Sequence, residues 1–113
     1  MTQQLVPDEG RRTSLRAAYL REALRKRSDG VPTLSVPEAA ALLSVSQEYL
    51  YRIVRAGGFP SVQLRLTGSS GRYVIPTKAV EELLAQAADS ASCVDCWDFS
   101  ASWRARPPAG DAR

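Results

Sequence analysis

The residues of this chain best suited to covalent or metal chemistry are two cysteines, spaced as Cys93-Val94-Asp95-Cys96. Zinc would need two further ligands, yet the chain has no histidine and no second cysteine pair. Thiol redox work would need a thioredoxin-like surrounding, so the pair reads as two free thiols. Lacking histidine, the chain also cannot use a His-activated Ser or Cys nucleophile. Neither GxxxxGK[ST] nor GxGxxG occurs, so no loop is built to cradle a nucleotide's phosphates. No carboxylate or lysine arrangement suggests catalysis either. The expectation is a non-enzymatic protein with no metal site and no cofactor.

What remains is a distribution of charge. Of 113 residues, 15 are Lys or Arg and 12 are Asp or Glu, a formal charge of +3. The excess sits in the N-terminal third, where Arg11, Arg12, Arg16, Arg21, Arg25, Lys26 and Arg27 outnumber the acids. An apolar fraction of 44% suffices for one core. No apolar run approaches the roughly 18 residues of a membrane span. The opening MTQQLVPDEGRRT lacks the apolar stretch of a signal peptide. A cytoplasmic protein, associated with the nucleoid and with no membrane contact, is expected.

Stepping along the chain, Thr13–Arg27 reads as a basic helix capped by Thr13, with Leu15, Ala18, Tyr19, Leu20, Ala23 and Leu24 as its broad apolar side. Ser28-Asp29-Gly30-Val31-Pro32 breaks it. Ser35-Val36-Pro37-Glu38 is a capping box, in which the Ser hydroxyl and the Glu carboxylate satisfy each other's backbone amides. A short helix with Ala39, Ala40, Leu42 and Leu43 follows, and Ser44-Val45-Ser46 interrupts it. Ser46 caps a second helix, with Val45 and Leu50 as a hydrophobic staple and Leu50, Ile53 and Val54 as its inward stripe. Gly57 is placed for a left-handed C-cap. The period then changes to two: Val62, Leu64 and Leu66 predict a half-buried strand. Thr67–Gly71 is a turn, Arg72–Ile75 a second strand, and Pro76-Thr77 the cap of a helix whose apolar face is Val80, Leu83, Leu84 and Ala87. Helix, tight turn, helix, hairpin and helix make a winged helix-turn-helix.

Over residues 33–86 the chain resembles the excisionase-type winged-helix family, relatives of the MerR DNA-binding domain. The resemblance rests on LSVPEAAALLSVSQEYLYRIVRAGGFPSV and GRYVIPTKAVEELL. These match the family's L-[ST]-x-x-E-A-A-x-L-L-x-V-S start, its aromatic-plus-Arg second helix, its G-x-[LF]-P exit and its [RK]-x-x-I-P wing strand. In two places the chain departs from the pattern. Its wing turn is Gly/Ser-rich where many relatives carry arginines, and Glu48 stands where relatives often have Arg or Ser.

In such a fold the second helix enters the major groove by its N-terminal end. The resemblance therefore makes Ser46, Gln47, Tyr49, Tyr51 and Arg52 the candidate DNA contacts, with Glu48 beside them. Gln can pair with adenine N6/N7, Arg can fork onto guanine O6/N7, and Glu can accept from cytosine N4. It also places Arg65 and Arg72 in a wing, against a phosphate or a narrow minor groove. The plain alternatives are a solvated helix face and edge-strand charges that discourage aggregation. The basic N-terminal helix is open to two readings: contact with DNA or a second subunit, or packing on the domain.

The expected architecture is mainly α with a small β-hairpin, in three parts. Residues 1–32 form the basic helix and linker, 33–87 the winged domain, and 88–113 a flexible tail. In that tail, Trp97, Phe99 and Trp103 suggest a docking segment, onto this domain or onto a partner. By resemblance the partner is double-stranded DNA. The implied function is an excisionase-like accessory factor that bends DNA near a recombination site, works with an integrase or recombinase, and self-associates on DNA. A small transcriptional regulator of the same fold is the near alternative, and a protein-interaction module without DNA binding the more distant one.

Overall fold

In a computed structural model of the chain, residues 7–68 and 71–105 are described, with side chains from residue 11 onward except that of Arg12. Five helices and one three-stranded antiparallel sheet follow in the order α1 Pro7–Asp29, β1 Thr33–Ser35, α2 Val36–Leu43, α3 Gln47–Ala56, β2 Val62–Leu64, β3 Arg72–Pro76, α4 Thr77–Ser90 and α5 Cys96–Ala105. No described helix is long and apolar enough to cross a membrane.

Local chemistry sets the ends of α2 and α3. Ser35 Oγ accepts from the Glu38 amide at 3.2 Å, and Glu38 Oε1 accepts from the Ser35 amide at 2.9 Å, closing the capping box. Ser44, at φ 62°, ends α2 in the left-handed region. Ser46 Oγ then accepts from the Tyr49 amide at 3.1 Å and starts α3. The helix-to-helix turn is thus three residues long. Gly57, at φ 88°, ends α3 with its amide donating back to the last turn.

The core gathers around Leu34, Ala39, Leu50, Val54, Ile75, Ala79 and Val80, contributed by β1, α2, α3, β3 and α4. Burying the Leu, Ile and Val side chains among them contributes about 1.5–3 kcal/mol each, so the core holds these short elements together. Leu50 is 2% exposed, as the staple requires.

Several expectations are corrected. The sheet has three strands, because Thr33–Ser35 pairs with β3 (Leu34 opposite Ile75). Three residues beside a helix cap give no period-two signal. The apolar residues expected to be half-buried on the first hairpin strand are not: Val62 and Leu64 of β2 are 46% and 59% exposed, and Leu66, beyond the end of β2, is 80% exposed. Val62 faces Val74 and Leu64 faces Arg72 across the ladder. They share the outer face, while Ile75, in the alternate set, is buried. Thr77 does not cap α4; Pro76 holds that position, and Thr77 Oγ1 donates to the Val31 carbonyl at 2.9 Å.

The N-terminal helix begins at Pro7, so Thr13 lies inside it. Of its supposed apolar side, Ala23 is buried and Tyr19 half-buried, while Leu15, Leu20 and Leu24 are exposed. Leu84 is exposed as well. Instead of a flexible tail, residues 96–105 form α5, with Phe99 buried and Trp103 packed against the core. Aromatic residues without periodicity had pointed to docking but not to a helix. The remainder of the expected tail, 106–113, lies outside the described residues, as do 1–6 and Ser69-Ser70 of the wing turn.

Candidate nucleic-acid interface

Helical geometry sorts the side chains of α3. At 3.6 residues per turn, Leu50 and Val54 point inward, which leaves Glu48, Arg52 and Arg55 on the opposite face. Glu48, Arg52 and Arg55 are all exposed. Tyr49 and Tyr51, two positions apart, emerge on opposite flanks. Tyr51 turns toward the sheet, where its ring meets Tyr73 edge-on with centroids 5.6 Å apart at 77°. Arg55 lies over the Tyr51 ring, its guanidinium carbon 5.6 Å from the centroid. A guanidinium, an α3 ring and a β3 ring thus form one stack joining helix to wing.

Beside this stack runs an open cleft of about 650 Å³, walled by Gln47, Glu48 and Tyr51 of α3 and by Arg72, Tyr73 and Val74 of β3. Ser35 and Tyr19 reach its floor. Of the residues singled out in the sequence, Gln47, Tyr51 and Arg72 are therefore brought together. Ser46 sits at the head of α3, occupied with its cap. Arg52 projects from the outer face of the helix, outside the cleft lining. Arg65 follows β2 on the exposed wing. Tyr49 lies on the far flank, away from the wing. Arg55 was not singled out; its i,i+4 spacing from Tyr51 was the available signal.

The ion pairs of the described residues all involve α1. Arg25 pairs with Glu22 and Asp29, Lys26 Nζ with Glu38 Oε1 at 2.7 Å, and Arg27 with Glu81 at 3.1 Å. Arg16 donates to the Val45 carbonyl of the helix-to-helix turn at 3.0 Å. Arg16, Lys26 and Arg27 thereby brace the domain, while Arg25 pairs within α1 itself. Burial opposes the ionisation of Glu38, but the Lys26 ammonium and the Ser35 amide and hydroxyl outweigh it, so the carboxyl is held below its ordinary range. By contrast, Arg52, Arg55, Arg65 and Arg72 have no ion-pair partner among the described residues. Among the described residues the ion-paired cations all lie on α1, and of the four unpaired arginines Arg72 lines the cleft, together with the paired Lys26.

The two cysteines lie apart from this surface. Cys93 is exposed, and Cys96 opens α5 with its thiol pushed up by burial and by neighbouring Asp95. Among the described residues no three His, Cys, Asp or Glu side chains converge as a metal cluster.

No curated protein and no solved structure matches the chain. Residues 33–88 do match a family model, that of the helix-turn-helix domain. The match takes in the capped helix pair, its three-residue turn, the wing and α4, the elements that carry the unpaired arginines. Residues 33–88 of this chain are therefore a DNA-binding helix-turn-helix domain.

Proposed function

We propose that the domain grips duplex DNA at two points, with α3 in the major groove and the β2–β3 wing on the adjoining backbone. The distribution of charge supports this reading: among the described residues the arginines of α3 and the wing have no ion-pair partner, whereas Arg16, Lys26 and Arg27 of α1 are engaged with the domain. A sugar–phosphate ridge fits the cleft between α3 and β3, with Arg72 on one wall and Gln47 on the other. In this pose Arg52 reaches guanine, Gln47 reaches adenine, and Glu48 accepts from cytosine N4. Arg55, Arg65 and Arg72 neutralise phosphates, and Ser46 presents the first amides of α3 to the backbone.

The biological role we assign to this binding is that of an excisionase-like accessory factor, without catalysis of its own. The EAA…VS helix pair, the GGFP exit and the RYVIP wing strand support it, as does a two-point grip suited to bending DNA. An integrase is the implied partner, with further copies of this chain bound side by side. Its test is a circular-permutation gel together with a recombination assay containing the integrase. The expected result is bent DNA and a shift toward excision. Straight complexes over a promoter, with altered transcript levels, would make the chain a transcriptional regulator instead.

A further inference from the structure

Helix α5 lies outside the helix-turn-helix match, which ends at residue 88. It nevertheless seats on the single stretch of chain that joins α3 to the wing. Ser100, 1% exposed, donates its hydroxyl to the Gly58 carbonyl at 2.8 Å. Phe99 stacks on Phe59 with centroids 6.2 Å apart and planes at 28°, and Trp103 tilts against Phe99 at 5.7 Å. The Trp97 ring and Ile53 Cγ2 both lie so close over Gly58 that a β-carbon there would come within 2.7 Å of the ring and 2.9 Å of the methyl. Gly58 has no positive φ, so its lack of a side chain serves this approach and not the backbone.

We infer that α5 is a positioning element for DNA binding: by clamping Gly58 and Phe59 it fixes the separation between α3 and the wing. This inference rests on the two-point grip proposed above. Without the clamp, Gly57-Gly58 would leave the joint as free as any Gly-Gly pair. Both contact points would then have to be ordered at the moment of binding, which lowers affinity without removing a contact. Trp97, Phe99 and Ser100 act through the joint and do not touch DNA. By linkage, DNA must in turn favour the seated helix.

Trp97 and Trp103 are the only tryptophans of the chain, so intrinsic emission reports on α5 specifically. The test compares the full-length parent, Gly58→Ala, Trp97→Ala and the double variant, each titrated with a duplex site over a range of salt. Gly58→Ala should shift emission to the red and weaken binding about tenfold. Its salt slope should stay at the parental value, because no phosphate contact is lost. Adding Trp97→Ala removes the nearer of the two obstacles, leaving the Ile53 methyl, and lets Phe99 and Ser100 reseat in part. The loss caused by Gly58→Ala should then be clearly smaller in the Trp97→Ala background than in the parent.

Should Gly58→Ala fail to fold, Ser100→Ala, which only deletes a hydroxyl, should move emission and affinity in the same directions by less. A Gly58→Ala protein with red-shifted emission and parental affinity would overturn the inference. So would unchanged emission, or a Gly58→Ala loss as large in the Trp97→Ala background as in the parent. A parent that does not bind DNA would overturn the two-point grip itself, a result distinct from the others.

Discussion

The rings of Tyr51 and Tyr73, edge to face at 5.6 Å, are the direct side-chain link between the second helix of the pair and the wing. Tyr51 also carries Arg55 over its face. The pair should contribute about 0.5–1.5 kcal/mol beyond the area it buries. Tyr73→Ala is therefore expected to loosen the wing and weaken DNA binding, while Tyr73→Phe, which keeps the ring, should bind as the parent does. Equal losses in both would assign the effect to the hydroxyl and not to the ring contact.

Leu50 is both the staple partner of Val45 and a core residue. Leu50→Ala should cost about 2–5 kcal/mol, because the short surrounding elements have little freedom to collapse into the space. In a domain of this size that is a large part of the total stability. Thermal melting followed by circular dichroism checks it, and an unchanged midpoint would contradict the packing.

Glu38 makes stability depend on pH. Its carboxyl titrates below the ordinary value of 4.5, so the folded state binds the proton less readily than the unfolded chain. The resulting stability is fully present above about pH 4.5 and is lost as pH falls through the folded-state value. Glu38→Gln should destabilise by about 2 kcal/mol at neutral pH, since it leaves Lys26 without its partner. Denaturant melts should show the gap between variant and parent closing in acid. A gap independent of pH would mean that the charge of Glu38 is immaterial.

Arg72 tests the wing. Arg72→Ala should leave the melting temperature nearly unchanged, as exposed substitutions typically shift stability by under about 0.5 kcal/mol. It should weaken DNA binding and lower the salt slope by roughly one unit if the contact is to phosphate. If the guanidinium enters the minor groove instead, its penalty should shrink when an A·T flank is replaced by G·C. Parental binding by this variant would take the wing off the DNA.

The elements legible in the sequence are those fixed by neighbours within a turn. Ser35 with Glu38, Ser46 with Tyr49, and Gly57 each meet partners a few residues away, so both helices and their turn could be read directly. β1 could not, because Leu34 becomes a strand residue only by pairing with Ile75, 41 positions later. The outward turn of Val62 and Leu64 depends on β3, whose inner face is already filled. The Tyr51–Tyr73 contact and the seat of α5 on Gly58 are likewise long-range. Candidate contacts chosen by family position were placed along α3 and the wing, but only the fold shows that Tyr49 faces away and that Arg55 lies over the Tyr51 ring.

The central claim is that the unpaired arginines of α3 and the wing meet DNA phosphates and bases. The most direct measurement is the affinity of the intact chain for a selected duplex site, titrated across salt, for the parent and Arg52→Ala. Three phosphate contacts, from Arg55, Arg65 and Arg72, predict a log–log slope of about −3. Arg52→Ala should lose about 1–3 kcal/mol on the selected site and relax preference at one base pair, with the slope nearly unchanged. Binding insensitive to salt, or no binding by the parent at low salt, would contradict the account.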